Sequence, residues 1–332
     1  MIYYSIIIPH YNTWDLLEKL IDSIPISEEY EVIVVDDHSK RLDTPDFAAR
    51  FERIQDKIKQ RNGRFINSDR GQSAGACRNI GLKYATGKWL LFADADDYFL
   101  PSLEKVLEEH KNSEADIVYF APTSEYLSTG EKAHRHEEFA GMIDRFIKSK
   151  KEKGRAFGND GLHNLGGAEL SLRFNWAAPF CKLVRRQMVS DNGILFSETI
   201  VSNDVMFSIK CGYFAKSIAA DARQCYSIVR KSHSLTTNSD EERYKVRIDI
   251  FIEEYNFLKE HLAKRDFNEL GYTGKVILGT ALVNGYSARN IIGYYRKLKK
   301  NGVKMFAIRA LPGDVKMLVV GVCRKIIENR KI

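Results

Sequence analysis

The stretch "LLFADADDYFLP", residues 90 to 101, sets Asp94, Asp96 and Asp97 directly behind a run of large apolar side chains. Carboxylates at that density repel one another, so water, the backbone or a cation has to compensate them. Hard oxygen donors in a sparse pair suit Mg2+ or Mn2+, ions that keep several waters and take phosphate oxygens as remaining ligands. Asp-x-Asp alone is a weak signal, because many surface turns contain one. Its weight comes from where the fold puts it.

The preceding chain reads as alternating strands and helices. "SIIIPHYN" opens with an apolar strand, Tyr4 to Ile8, halted by Pro9. Trp14, Leu17, Leu20, Ile21 and Ile24 then recur at helical spacing behind Asn12 or Thr13. "EVIVVDDHS" gives a second buried strand over Glu31–Val35, ending in Asp36 and Asp37. A charged helix (46–60), a strand (63–68), a helix (73–86) and the strand of "KWLLFADADD" complete the series. Such alternation predicts an α/β domain with a mostly parallel, Rossmann-like central sheet. Ligands in such sheets sit at the carboxyl ends of strands. Three of those ends are polar: Pro9–Asn12, Asp36–Ser39 and Asp94–Asp97. "PHYNTW" has no glycine, which excludes the dinucleotide-binding turn, and no P-loop occurs. The carboxylates therefore read as half of a metal–diphosphate site.

A helix over Ser102–His110 and a strand at 115–120 follow. Residues 154–167 read as a Gly-rich loop, 175–189 as partly helical, and 193–215 as a polar segment leading into a helix. Past residue 240 the chain reads as almost all helical.

These segments resemble the family 2 glycosyltransferases, inverting enzymes of the GT-A fold that include bacterial surface-polysaccharide types. "SIIIPHYN", "EVIVVDDHS", "GQSAGACRNIGLKYATGKWLLFADADD", "WAAPFCKLVRR" and "FSETIVSNDVMF" match the family's motifs in order, over roughly residues 1–235. The resemblance implies a domain at 1–240, with nucleotide-sugar binding in 1–100 and the acceptor side and base in 101–240, followed by a helical, basic region at 241–332. It implies that Pro9, Tyr11 and Asn12 line a base pocket in which Asp37 accepts a hydrogen bond from the base. Arg78 would hold the nucleotide, Asp94 and its neighbour Ala95 would face the ribose, and Asp94 and Asp96 would bind the divalent cation. For Tyr11 core packing competes with this role, for Arg78 a solvated helix charge, and for Asp36 a turn or helix-capping carboxylate.

An inverting transfer also needs a group to take the acceptor hydroxyl's proton. The family commonly places that base in a Glu-Asp pair before an apolar helix. Here the pair reads Asn203-Asp204, so Asp204 alone inherits the role, with Glu198 as fallback and Asn203 left with hydrogen bonding. The competing reading of Asp204 is a carboxylate favoured by a helix N-terminus. Trp176 and Lys182 are placed beside an acceptor groove, against the alternative of a core Trp and a surface Lys. Arg230 or His233, in "VRKSHSLTTNS", is positioned to reach the phosphates or to sit in a basic loop.

The donor implied is a nucleotide-diphosphate sugar, UDP-sugar favoured, and the acceptor a glycan or lipid-linked hydroxyl. Two alternatives stay open: a non-catalytic protein of the same fold, which the missing carboxylate at 203 permits, and a sugar nucleotidyltransferase, which "PHYNTW" disfavours.

Charge adds a partner. Residues 286–332 hold twelve Lys and Arg against two Asp and Glu, more than the whole chain's net +7. Ile291, Ile292, Tyr295 and Leu298 share a helical side near Arg296, Lys297, Lys299 and Lys300. Nucleic acid would leave that apolar side idle, so no nucleic acid is expected. An anionic membrane surface uses both features, against the alternative of a packed helical subdomain. Five scattered cysteines (Cys77, Cys181, Cys211, Cys225, Cys323) fit no zinc or dithiol spacing and read as buried thiols. "MIYYSIIIPHYN" lacks a signal-peptide pattern and no apolar run reaches ~20 residues. The expectation is a cytoplasmic protein at the inner membrane face.

Overall fold

The computed structural model describes residues 1–69, 73–134, 136–153, 165–230 and 240–305. The chain divides into two compact units, one of Met1–Gly161 with Ala168–Lys231, the other of Leu162–Gly167 with Ser232–Ile332.

The first unit begins β1 (Tyr4–His10), α1 (Trp14–Asp22), β2 (Tyr30–Asp36), α2 (Pro45–Lys59), β3 (Arg64–Asn67), α3 (Ala74–Tyr84) and β4 (Trp89–Phe92). It continues through β5 (Tyr98–Phe99), α4 (Ser102–His110), β6 (Ile117–Tyr126), α5 (Glu137–Lys153), α6 (Gly167–Phe174), β7 (Lys182–Arg185), α7 (Arg186–Asp191), α8 (Val205–Phe214) and β8 (Ile218–Arg230). The strands form one eight-stranded sheet in the order β3-β2-β1-β4-β7-β6-β8-β5. Its first four are mutually parallel, with Tyr4 opposite both Tyr30 and Trp89. β1, β2 and β4 are buried along their whole length, as their runs of consecutive apolar residues require when helices cover both faces. Beyond β4 the sheet is mixed: β7 runs antiparallel to β4 and β6, and β8 is parallel to β6 and antiparallel to β5.

Several elements differ from the sequence reading, which did not place β5, α5 or α6. β1 does not stop at Pro9 but runs to His10. β4 pairs only with Tyr4–Ile7, so the missing proline N–H breaks no ladder on that side. "KLVR" forms β7, not helix, because four apolar-rich residues carry too little periodicity to separate the two states. The thirteen-residue β8 was not anticipated; "AADARQ" within it lacks the alternation of a half-buried strand.

Buried polar groups pin the parallel half together. The Glu31 carboxylate accepts hydrogen bonds from Ser5 Oγ at 2.6 Å and from Thr86 N–H at 2.6 Å, which ties the turn before β4 to β1 and β2. α3 approaches β1 through Gly81, where a Cβ would collide with Ile7. Four of the five cysteines (Cys77, Cys181, Cys211, Cys225) are buried free thiols, and Cys323 lies outside the described residues.

The second unit holds α9 (Glu241–His261), α10 (Lys264–Leu270), α11 (Lys275–Val283) and α12 (Ala288–Lys300). The rings of Tyr244, Tyr286 and Tyr294 gather at its centre, and Tyr244 donates to the Ile277 carbonyl. Buried Leu298 and Tyr294 mark the inner side of α12, while Ile292 and Tyr295 are exposed. No described helix is long and apolar enough to cross a membrane. The rest of the basic segment, from residue 306 onward, lies outside the described residues.

Candidate active site

Parallel pairing brings the ends of β1 and β2 level, with His10 opposite Asp36. There His10 Nδ1 and Asp36 Oδ1 are 2.7 Å apart, both side chains fully buried. A carboxylate only accepts, and His10 Nε2 accepts from the Thr13 N–H at 3.3 Å, so the ring fits the Nδ1–H tautomer. Ser39 adds its hydroxyl to Asp36 Oδ1 at 2.5 Å and its backbone N–H to Oδ2 at 3.1 Å. Burial pushes the Asp36 carboxyl up, but the bonds from His10 and Ser39 outweigh it and hold the group below its ordinary value.

The same Ser39 hydroxyl accepts the Asn12 N–H at 2.8 Å, while Asn12 Oδ1 accepts the Lys40 N–H at 2.7 Å. Asn12 and His38 sit at φ of 56° and 60°, in the left-handed region where Asn is the best tolerated residue with a side chain. Thus the two loops are laced to one another; their rim carries exposed Asn12 and Tyr11, the latter 56% exposed, whereas Pro9 and Asp37 are buried. Such exposure removes core packing as the account of Tyr11. Asp36 is a turn carboxylate, closing the chain after β2 onto Ser39, and it is bonded to His10 as well; it caps no helix. Its partners His10 and Ser39 were not singled out from sequence.

At the end of β4 the three carboxylates have separate fates. Asp97 is buried, accepting the Tyr226 hydroxyl at 2.8 Å and the Val229 N–H at 2.8 Å. Burial first, then the charges of Asp94 and Asp96, push its carboxyl well above the ordinary range. Tyr226 Oη in turn accepts the Asp94 N–H at 2.9 Å, so β8 fixes the backbone of the Asp-x-Asp. Asp94 keeps a side chain 34% exposed, and its Oδ1 receives Arg78 Nη2 at 2.6 Å. Ala95 is buried and Asp96 half-buried. Arg78 is not a solvated helix charge: it is buried on α3, with its guanidinium 5.3 Å over the Phe196 ring.

Arg78 also links this edge to the segment before α8, donating from Nη1 to Asn203 Oδ1 at 2.8 Å. Gly75, one turn earlier on α3, makes the approach possible, since a Cβ there would collide with the Ser197 carbonyl oxygen. Asp204 stands at the N-cap of α8, yet its side chain makes no capping hydrogen bond. Loss of water raises its carboxyl above the ordinary value; Asp94 adds to that, while Arg78 and Lys182 oppose it. Glu198 is exposed and takes a bond from Asn79 Nδ2 at 3.2 Å.

Lys182 and Trp176 face inward. Lys182 is 2% exposed, donates to the Trp176 carbonyl at 2.9 Å, and burial lowers its ammonium to about 8. Trp176 stacks on Phe139 with centroids 4.1 Å apart, and its Nε1–H is buried without a hydrogen-bond partner. That stacked face is occupied by protein. Arg230, at the end of β8, lies 5.9 Å over the Tyr126 ring, and His233 lies outside the described residues.

Among the described residues no three His, Cys, Asp or Glu side chains converge as a closed metal cage. Asp94 and Asp96 nevertheless offer hard oxygen donors at a solvent-facing strand end. That donor set fits a hydrated Mg2+ or Mn2+ whose other ligands come from a diphosphate and water.

Residues 5–186, more than half of the chain, match Glycosyl transferase family 2. A Haemophilus influenzae protein named as an uncharacterized glycosyltransferase is 33% identical over 134 residues, 38% of this chain and 41% of that protein. The chain therefore spans well under two-thirds of that relative's length. Among solved structures, Staphylococcus aureus TarS 1-349 in complex with UDP-GlcNAc gives a TM-score of 0.55 at 21% identity, covering 85% of this chain and 72% of that one. The mannosyltransferase PcManGT of Pyrobaculum calidifontis, in complex with GDP-Man and Mn2+, gives 0.50 at 15% identity, covering 97% and 80%. At those identities the likeness speaks for the fold, the mixed α/β arrangement of GT-A glycosyltransferases. Together with the match that runs from β1 into α7, it makes this chain a member of glycosyl transferase family 2.

Proposed function

We infer that the chain is an inverting glycosyltransferase, moving a hexosyl or N-acetylhexosaminyl group from a nucleotide-diphosphate sugar to a hydroxyl on a glycan or lipid-linked acceptor. UDP-sugar is the favoured donor. In this reading Pro9, Tyr11 and Asn12 line the base pocket and Asp37 accepts the base N–H. Arg78 and Asp94, with Ala95 beside them, hold the ribose and diphosphate end. Asp96, with Asp94, holds the divalent cation, Mn2+ or Mg2+, which supplies Lewis-acid stabilisation of the leaving diphosphate. Asp204 accepts the acceptor hydroxyl's proton as that oxygen bonds to C1 of the sugar and the C1–O bond to the diphosphate breaks. Lys182 and Trp176 support the acceptor side from beneath.

One observation carries the reading. Arg78 ties the strand-end Asp94 to the segment that bears Asp204, whose carboxylate is left uncapped and has a raised proton affinity. A carboxylate with that affinity and no capping bond suits a base. Support for a nucleotide donor and a cation comes from TarS, solved with UDP-GlcNAc, and PcManGT, solved with GDP-Man and Mn2+.

The domain reading follows: a catalytic part over 1–240 and a helical, basic part over 241–332. On α12, exposed Ile292 and Tyr295 are flanked by exposed Arg289, Arg296, Lys299 and Lys300, which favours peripheral contact with an anionic membrane at the cytoplasmic face over nucleic acid. Calorimetry with UDP, with Mn2+ and with EDTA, tests the donor reading. Tighter binding with Mn2+, lost in Asp96→Ala, is expected; equal affinity in all three cases contradicts the cation assignment.

A further inference from the structure

Asn203, where the resemblance implies a carboxylate, has both ends of its side-chain amide bonded to protein, Oδ1 to Arg78 and Nδ2 to the Thr199 carbonyl. Its Oδ1 accepts Arg78 Nη1 at 2.8 Å while Arg78 Nη2 reaches Asp94 Oδ1 at 2.6 Å. The guanidinium lies over Phe196 at 5.3 Å and its Nε–H is buried with no partner, so its orientation depends on these two acceptors. Of the two, only Asp94 carries charge. Asn203 itself is held by backbone geometry: Ser202 takes φ 53°, the Asn203 carbonyl accepts the Ser197 N–H at 3.0 Å, and its Cβ packs against Gly75.

We propose that Asn203 is a positioning residue that acts through Arg78: its neutral amide oxygen fixes the guanidinium while leaving the full positive charge to Asp94 and to a diphosphate bound beside it. The inference rests on the nucleotide-donor reading and goes beyond it by naming what the departure at 203 does. A carboxylate at the same place would divide the guanidinium between two anions. The site would gain one negative charge next to the phosphates, and a charge within a few ångströms of a partly buried group shifts binding by about tenfold or more. A ligand without phosphates would not register that change.

The test is calorimetric titration of the full chain with UDP and with uridine, comparing the unaltered protein with Asn203→Asp and Asn203→Ala, each checked for folding by its melting temperature. Asn203→Glu serves as the second charged variant should Asp at this position prevent folding. UDP affinity is expected to fall about tenfold in the charged variant and no more than about threefold in Asn203→Ala, with uridine affinity unchanged in both. In turnover, Asn203→Ala lowers kcat more than it raises the donor KM, because the guanidinium stays on Asp94 while the segment bearing Asp204 loses one of its ties to α3 and keeps those from Asn79. Equal loss of UDP affinity in the Asp and Ala variants, or an equal loss for uridine, overturns charge setting and leaves Asn203 as packing. An unaltered protein that binds uridine and UDP equally weakly overturns the donor reading itself, and this inference with it.

Discussion

At the ends of β1 and β2, the carboxylate of Asp36 is held by His10 and twice by Ser39, and Ser39 and Asn12 lace the two loops from both sides. Across the site, the segment from Ser197 to Asp204 meets α3 through Asn203 on Arg78 and Glu198 on Asn79, and the Asp204 side chain makes no capping bond. The rim proposed for the donor is thus a redundant polar lattice on parallel strands, and the segment bearing Asp204 is an irregular loop held to α3 by Arg78, Asn79 and a glycine contact. Redundancy suits a pocket that must hold the same nucleotide each time. A lightly tied carboxylate suits a group that must meet an acceptor and change protonation.

The sharpest break in this contrast is Asp204→Asn. It should fold and bind UDP as before, yet lose ~10²–10⁴-fold in turnover, the usual worth of a positioned base. Because the Asp204 carboxyl is raised, the unaltered enzyme's kcat/KM should climb with pH through a group above the ordinary aspartate value, and that acid limb should vanish in the residual activity of the variant. Turnover that survives moves the role to Glu198.

Gly75→Ala comes next. The new methyl collides with the Ser197 backbone, and displacement of the segment by an ångström can cost ~10²-fold in rate. UDP affinity should change far less, which a paired titration and rate assay will separate.

His10→Ala probes the redundant side. Removing one partner of a buried hydrogen bond costs ~1–3 kcal/mol of stability. Ser39 and Asn12 still hold the loops, so UDP affinity should fall less than tenfold. Denaturant titration and calorimetry on the same sample measure both. Asp36→Asn sharpens the point through pH. The folded carboxyl lies below its unfolded value, so its stabilisation is complete above about pH 4 and is lost as pH falls further. The variant should show a flatter acid limb of stability.

The smallest effect concerns Lys182, whose folded ammonium, at about 8, lies below its unfolded value. The unfolded chain holds that proton more tightly, so stability relative to Lys182→Met should rise between about pH 8 and pH 10. A pH series of melting temperatures reads the slope.

What the sequence disclosed divides along the same line. Unbroken apolar runs at Ile6–Ile8, Val32–Val35 and Leu90–Phe92 announce strands buried on both faces, so the parallel half and its three polar ends were legible. The His10–Asp36–Ser39 lattice was not, because it depends on the register that sets His10 opposite Asp36. A Ser three residues after an Asp at one strand end, with a His at another, was the available signal. The absent carboxylate at 203 was visible; its partner Arg78, 125 residues away, was not. The burial of Lys182, against the surface-Lys alternative, was not legible either, because it depends on β7 lying between β4 and β6, in a stretch read as partly helical.

The central claim is that the laced rim holds a nucleotide sugar for a transfer driven from the other side. Nucleotide release from a panel of UDP- and GDP-sugars, with Mn2+ and with EDTA, tests it most directly. The account predicts Mn2+-dependent release from a UDP-sugar that rises when an acceptor hydroxyl is supplied. Nucleotide binding without release from any of these donors would contradict it and leave a non-catalytic binding protein of the same fold.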